Sequence, residues 1–195
     1  MEEKKDVALD NIPKLFLNAV NSRGNKTAMR EKDLGIWQSI SWNVSGEQAK
    51  YVSLALNSLG LLKNDVVSIA SEGIPQWLFT DLGVICAGGI SSGIYTTDSC
   101  SQVEYLVNDS KTKFYFAENE EQLDKILEVR KNCSSLKKII IYDLEGLHNF
   151  NDPQVMSFVE LIEIGKSIDE NEPQLFEKLV SNVSPEDIAI LVYTS

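Results

Sequence analysis

The sequence predicts an α/β protein in which a doubly wound, mostly parallel sheet is flanked by helices and preceded by a small antiparallel ribbon. Short runs of β-branched and aromatic residues alternate with segments of helical periodicity, which is the order typical of parallel α/β folds. The runs are nearly continuous in apolar character, as expected for strands that are covered on both faces. The helical segments begin at Ser, Asn or Pro, which favour the first turn of a helix.

The first 60 residues are predicted to form a helix, a ribbon and a second helix. Residues 11–22 place apolar side chains at helical spacing behind an Asp or Asn cap. The extended runs 27–32 and 35–42 surround Asp33-Leu34-Gly35, which has the composition of a hairpin turn. Residues 43–58 again have helical periodicity, and Gly60 is placed to end that helix in a left-handed conformation.

From residue 66 onward, strands and helices alternate. Capping boxes formed by Ser99 with Gln102 and by Asn119 with Gln122 indicate where two of the helices begin. The predicted strands are 66–70, 89–95, 113–117, 138–142 and 188–193, and the helices between them are 75–87, 99–108 and 119–131.

Residues 143–185 are acidic, contain three prolines and are expected to cross the surface with two short helices, at 154–164 and 173–181. The strand at 188–193 is expected to be buried, yet only Thr194 and Ser195 follow it. Ligands of α/β sheets bind outside the carboxyl ends of the strands. We therefore expect the chain to be cut at the place where a site would lie. We also expect the exposed end of this strand to make the isolated chain self-associate or to leave it only marginally stable.

Composition and charge exclude several classes of protein. With 195 residues, of which 43% are hydrophobic and 24% charged, the chain resembles an ordinary globular domain and not a disordered or fibrous protein. The net charge of −11 argues against nucleic acid as a partner and against anionic membrane faces. No apolar run approaches the roughly 20 residues of a membrane-spanning helix, and residues 1–6 lack the order of a signal peptide. A cytoplasmic location with reduced thiols at Cys86, Cys100 and Cys133 is expected, with Cys86 inside.

Common catalytic and nucleotide-binding motifs are absent from the sequence. It has no Walker-type phosphate loop, no Gly-x-Gly-x-x-Gly after a strand and no Gly-x-Ser-x-Gly turn. The single histidine, His148, lies in a predicted loop, so neither a His-dependent triad nor a multi-histidine metal site is expected. Gly88 and Gly89 are assigned to tight helix packing, and the three tryptophans to the core or to interfaces.

Several short segments, taken in order, provide the functional hypothesis. Residues 187–195 read Asp-Ile-Ala-Ile-Leu-Val-Tyr-Thr-Ser, and residues 88–99 run from Gly-Gly to Gly-Ile-Tyr-Thr-Thr-Asp-Ser. These segments resemble adenylate-forming enzymes, specifically the bubblegum-like branch of the long-chain acyl-CoA synthetases. Segments 11–16, 40–42, 59–69 and 72–77 are also similar to that family. Asn64, Gly73 and Gln76 depart from its pattern, in turns and helix starts.

The resemblance implies that residues 1–195 are the N-terminal part of a large AMP-binding domain, truncated at the start of the phosphate loop. It implies a parent enzyme in which a fatty carboxylate attacks the α-phosphate of ATP, Mg²⁺ neutralises charge and pyrophosphate leaves, after which CoA displaces AMP. Thr194 and Ser195 would be the first residues of the ATP loop, and no catalytic or metal-binding residue is assigned. ATP, Mg²⁺ and CoA are expected to serve the parent enzyme, while the isolated chain is expected to be inactive.

Two alternatives stay open at this point. The parent protein is either a long-chain acyl-CoA synthetase or another adenylate-forming ligase, such as an aryl- or amino-acid-activating enzyme. A non-catalytic α/β binding or interaction module is the alternative from a different class, because the sequence contains no complete site. Peripheral membrane contact and homo-oligomerisation are left open as well.

Overall fold

A computed structural model describes residues 10–194 of the chain. Its strands are β1 (Thr27–Asp33), β2 (Ile36–Ser41), β3 (Val66–Ala70), β4 (Ile90–Ile94), β5 (Phe114–Ala117), β6 (Lys138–Ile141), β7 (Val155–Ser157) and β8 (Ile190–Leu191). Its helices are α1 (Ile12–Arg23), α2 (Trp42–Ser58), α3 (Pro75–Cys86), α4 (Cys100–Asp109), α5 (Glu120–Val129), α6 (Phe158–Asn171) and α7 (Leu175–Ser181).

The predicted ribbon is confirmed as a two-stranded antiparallel hairpin of β1 and β2. Its turn residues Leu34 and Gly35 both have positive φ angles, of 45° and 84°. Two such residues fit the right-handed twist of the flanking strands, which is why they favour a two-residue hairpin turn.

The larger sheet confirms the doubly wound parallel architecture. Within residues 10–194 its order is β7-β6-β5-β3-β4-β8, and every neighbouring pair is parallel. The chain leaves β3 toward one edge through α3 and leaves β5 toward the other edge through α5. The two helices cover opposite faces of the sheet, so the winding direction reverses between β3 and β5.

Each face of the sheet has its own apolar core. One layer contains α2, α3 and α6, with residues such as Val52, Phe79 and Leu161 packed against the sheet. The other contains α4 and α5, with Val103 and Ile126 among its buried residues. Successive strand residues point to opposite faces, so a run such as Phe114–Ala117 supplies both layers and is fully buried.

Glycines bring two helices into close contact with α2. A side chain at Gly83 of α3 would begin 2.7 Å from the side chain of Val52, and one at Gly165 of α6 would overlap the backbone carbonyl of Tyr51. The glycines therefore allow α3 and α6 to lie closer to α2 than any larger residue permits.

The two ends of the chain are joined by a buried hydrogen bond. The side-chain amide of Asn11 donates to the carbonyl oxygen of Val183 at 2.8 Å, across a separation of 172 residues. Asn11 also caps α1 by accepting from the backbone N–H of Lys14.

The predicted helix at 154–164 is wrong in its first turn. Residues Val155–Ser157 form β7, which pairs with β6 at the edge of the sheet. The helix begins only at Phe158, because Ser157 and Glu160 form a capping box there. The region is also more than a surface crossover, since Phe158 and Leu161 belong to the core.

The predicted strand at 188–193 forms only at Ile190 and Leu191, which pair with β4 as the edge strand β8. The expectation that this strand is buried is wrong. Ile188, Ile190 and Val192 are 62%, 47% and 72% exposed. The run is apolar enough to be covered on both faces, but nothing among residues 10–194 covers this edge.

Within residues 10–194, no helix has both the length and the apolar character needed to cross a membrane.

Candidate functional site

Hydrogen bonds join the loops at the carboxyl end of the sheet, where the winding reverses. The backbone N–H of Glu72, just after β3, donates to the carboxylate of Glu118, just after β5. The hydroxyl of Thr96, after β4, donates to the carboxylate of Glu72, and the ammonium of Lys125 donates to the carbonyl of Thr96 at 2.6 Å. These contacts fix the three loops and occupy this part of the crevice with the protein's own polar groups.

The end of β8 is anchored next to α4. The Tyr193 hydroxyl donates to a carboxylate oxygen of Asp109 at 2.7 Å. Burial, supported by this hydrogen bond to an anion, raises the pKa of Tyr193 to about 12, so the side chain stays neutral and donates across the physiological range. Tyr193 thereby fixes the direction in which the chain leaves the sheet.

The predicted site residue Thr194 is exposed and lines a cleft of about 220 Å³ beside this anchor. Ser195, the second predicted site residue, lies outside the described residues. The cleft is lined by Gly93, Tyr95, Asp98, Gln102, Tyr105, Leu106, Tyr193 and Thr194. Thr194 therefore follows an edge strand at the carboxyl side of the sheet, which is where α/β proteins bind ligands.

The described residues do not form an ATP–Mg²⁺ site by themselves. The hydroxyl of Thr194 suits a phosphate oxygen, but the Asp98 carboxylate in the same cleft repels one, and no Lys or Arg lines it. Among residues 10–194, no group of three or more His, Cys, Asp or Glu side chains is arranged to hold a metal ion. His148 is exposed in its loop and gains no role.

A second cleft, of about 280 Å³, lies between α3 and β8. Its lining is mostly apolar and includes Trp77, Ile190 and Val192, with Ser91 as one polar member.

A buried acidic residue lies on the same helix, α3. Asp81 is only 8% exposed, and one of its carboxylate oxygens has no hydrogen-bond partner. Burial raises the pKa of Asp81, and a hydrogen bond from Ser91 opposes that effect less strongly.

Sequence patterns did not single out Asp81 as a site residue. The helix around it is apolar on nearly all sides, so periodicity could not show which residues face the sheet. The sequence feature that could have identified Asp81 is its position as a lone acidic residue inside that apolar run.

The family model described as AMP-binding enzyme matches residues 16–195. Among curated relatives, the long-chain-fatty-acid–CoA ligase ACSBG1 of Rattus norvegicus is 30% identical over 184 residues, which is 94% of this chain and 25% of the relative. The ligase ACSBG2 of Homo sapiens is 31% identical over 185 residues, again 94% of this chain and 27% of the relative. The chain spans about a quarter of the length of these relatives.

Solved structures show the same fold. An anthranilate CoA ligase, AuaEII, in complex with anthranoyl-AMP aligns with a TM-score of 0.68 at 22% identity, over 77% of this chain and 27% of that one. The adenylation domain of a carboxylate reductase from Mycobacterium chelonae aligns with a TM-score of 0.66 at 14% identity, over 79% of this chain and 29% of that one. Since the family model covers nearly all of the sequence and these structures share its architecture, the chain belongs to the family of AMP-binding enzymes.

Proposed function

We propose that residues 1–195 are the N-terminal part of a large AMP-binding domain in a long-chain fatty acid–CoA ligase of the bubblegum-like branch. The observation that carries the proposal is the family match over residues 16–195. The identity to long-chain ligases over 94% of the chain supports the substrate class.

In the proposed reaction, the enzyme converts a fatty carboxylate and ATP to an acyl-adenylate with release of pyrophosphate, and CoA then displaces AMP. Thr194 and Ser195 are proposed to begin the loop that binds the phosphates. The remaining ATP contacts, the Mg²⁺ ligands and the CoA contacts are proposed to come from other parts of the parent enzyme, since the chain spans about a quarter of the length of its relatives. The chain by itself is proposed to be inactive.

The proposal also includes a place in fatty acid metabolism and a cytoplasmic location with peripheral membrane contact. Fatty acids partition into bilayers, so an enzyme at the membrane surface meets its substrate there.

The test is an assay of ATP- and CoA-dependent thioester formation from palmitate. The whole product of the gene that encodes this chain is compared with the 195-residue chain alone. We expect thioester and AMP from the first and neither from the second. If the whole product is folded but inactive on every fatty acid tested, the ligase proposal is wrong.

A second candidate is an adenylate-forming ligase for another acid class. It stays open because an anthranilate CoA ligase and a benzoate CoA ligase share the fold, at 22% and 18% identity. Substrate-dependent exchange of pyrophosphate into ATP, measured with fatty, aryl and amino acids in parallel, separates the two candidates. Absence of exchange with all three classes would favour a non-catalytic module.

A further inference from the structure

A long-range hydrogen bond between side chain and side chain joins the end of β8 to α4. The hydroxyl of Tyr193 donates to a carboxylate oxygen of Asp109 at 2.7 Å, across 84 residues of sequence. Asp109 is the last residue of α4, and Tyr193 follows shortly after Leu191, the last residue of β8. The bond therefore connects the segment that leaves the sheet to a helix that packs on the sheet.

In the described part of the chain, strand pairing holds the polypeptide only as far as Leu191. That residue pairs with Ser92 of β4, and the ladder ends there. Val192 and Thr194 are both exposed. Because a short edge strand constrains only the residues that it pairs, the direction of the chain at Thr194 depends on how the side chain of Tyr193 is held.

The acceptor end of this bond is itself held in place. Helix α4 begins at a capping box and packs its apolar side against the sheet. Directly after the helix, the hydroxyl oxygens of Ser110 and Thr112 are 2.8 Å apart, and that of Thr112 is 2.6 Å from the hydroxyl oxygen of Ser68 in β3. Ser68 and Thr112 are both buried. Asp109 therefore lies next to hydrogen bonds that reach a central strand, and it offers Tyr193 a fixed acceptor.

The presence of an acidic residue at position 109 is not explained by the helix. The carboxyl end of a helix carries the negative end of its dipole, so a carboxylate there is unfavourable. The last turn of α4 contains no basic residue, and among residues 10–194 Asp109 takes part in no ion pair. The hydrogen bond from Tyr193 is the contact that accounts for this carboxylate.

We propose that Asp109 is a positioning residue for ATP binding, because by holding the hydroxyl of Tyr193 it directs the chain into the phosphate-binding loop. The inference rests on the proposed function, in which Thr194 and Ser195 begin that loop. Asp109 does not line the Thr194 cleft, so it acts through Tyr193 and not on the substrate. Small displacements of groups that hold a substrate weaken binding and slow the reaction, because both depend on their placement.

The charge of Asp109 gives the proposal a distinctive sign. A carboxylate repels the polyphosphate of ATP, so electrostatics alone predicts that removing it tightens binding. Loss of the contact that holds Tyr193 predicts the opposite, since the loop would no longer enter the site in one direction. The two explanations therefore predict opposite effects of Asp109→Ala.

The experiment measures binding of ATP with Mg²⁺ to the whole gene product by isothermal titration calorimetry, without fatty acid or CoA. Tyr193→Phe and Asp109→Ala are each expected to weaken binding about tenfold, the effect of losing one hydrogen bond to a charged group. The double variant is expected to bind no more weakly than either single variant, because both changes remove the same bond. Asp109→Asn keeps an oxygen that accepts from Tyr193 and is expected to bind nearly as the wild type does.

Two control variants change similar groups elsewhere. The hydroxyl of Tyr51 also donates to a carboxylate, that of Glu47 at 3.1 Å on α2, so Tyr51→Phe is the matched control for Tyr193→Phe. Asn108→Ala changes the exposed neighbour of Asp109 in the last turn of α4. Both are expected to bind ATP as the wild type does, and urea denaturation checks that every variant is folded.

A second measurement separates positioning from a general loss of structure. The variants are supplied with palmitoyl-adenylate and CoA, a half-reaction that requires no binding of a polyphosphate. We expect Tyr193→Phe and Asp109→Ala to form thioester at the wild-type rate. Their exchange of pyrophosphate into ATP with palmitate is expected to fall along with ATP affinity. A defect in folding would slow both half-reactions.

Three results would overturn the proposal. The first is that Asp109→Ala and Tyr193→Phe bind ATP as tightly as Tyr51→Phe does. The second is that Asp109→Ala binds ATP more tightly than the wild type, and the third is that the variants slow both half-reactions equally. A wild type that binds ATP but forms no thioester would refute the ligase proposal alone, since the binding data still decide the role of Asp109. A folded wild type that does not bind ATP would refute both.

Discussion

Asp81 is a buried carboxyl group in the layer of helices that contains α3, and one of its oxygens has no hydrogen-bond partner. Its 8% exposure and unpartnered oxygen make the charged form unfavourable there. The pKa of Asp81 is therefore raised in the folded protein. The folded state holds this proton over a pH range in which the unfolded chain has already lost it, so the free energy of unfolding falls as pH rises from about 4 through the raised value.

Asp81→Asn removes this titration and keeps nearly the same side-chain shape. We expect the variant to gain stability relative to the wild type as pH rises from about 4 toward neutrality, because only the wild type then acquires a buried charge. Urea denaturation at a series of pH values measures the difference. Asp124→Asn, at an exposed position of α5, is the control. Parallel pH curves for Asp81→Asn and the wild type would contradict the explanation.

Helix α2 is the element on which one layer of the molecule depends, since α3 and α6 both pack closely against it through glycines. At Gly165 the contact involves backbone atoms of α2, which cannot rotate away as the end of a side chain can. We expect Gly165→Ala to destabilise the protein by about 3 kcal/mol, the upper end of the usual cost of overpacking.

Thermal or urea unfolding measures this loss, and Gly73→Ala is the matched control. Gly73 has open space where a side chain would begin and an ordinary φ angle, so its replacement is expected to change stability by less than about 0.5 kcal/mol. Equal effects at the two positions would show that the contact between α6 and α2 is looser than described.

Elements with both a strong pattern and a local stop signal were predictable from the sequence. The range of β3 was predicted at its observed bounds, and the Ser99–Gln102 capping box was correctly placed before α4. β7 was missed because its apolar residues Val155 and Met156 directly precede an amphipathic helix and extend its periodicity, so that only pairing with β6 distinguishes them. Tertiary pairing is not visible in a local window of sequence.

The site was less predictable than the fold. Thr194 and Ser195 came from a family resemblance, since a hydroxyl pair after a strand is a weak pattern in itself. The hairpin turn at Asp33-Leu34-Gly35 was predicted from its composition. The exposure of Trp37 was not, because burial depends on what the rest of the chain covers. Trp42 and Trp77, by contrast, do pack against the core.

At the scale of the whole molecule, the sheet has an uncovered apolar edge. Ile188, Ile190 and Val192 alternate along the chain, so they share one face at β8, and all three are exposed. Exposed edge strands with apolar faces are prone to pair with other chains.

We expect the 195-residue chain to self-associate at micromolar concentration through this edge. Replacing Ile190 and Val192 together with Lys is expected to shift it toward the monomer, as measured by size-exclusion chromatography with light scattering. Val159→Lys, at a 66% exposed position on α6, is the control and should leave the mass unchanged. A wild-type chain that is monomeric and highly stable would contradict this expectation.

The hydrogen bond between Asn11 and Val183 also bears on the order of events during synthesis. The first helix emerges from the ribosome early, but Val183, whose carbonyl oxygen accepts from the Asn11 side-chain amide, is translated 172 residues after Asn11. Until Val183 has been made, Asn11 lacks this long-range contact. The growing chain meanwhile exposes apolar residues that later segments cover in the folded protein. We infer that α1 packs against α2 and α3 once these helices have formed, and that Asn11 gains its bond to Val183 only after most of the sheet has been translated.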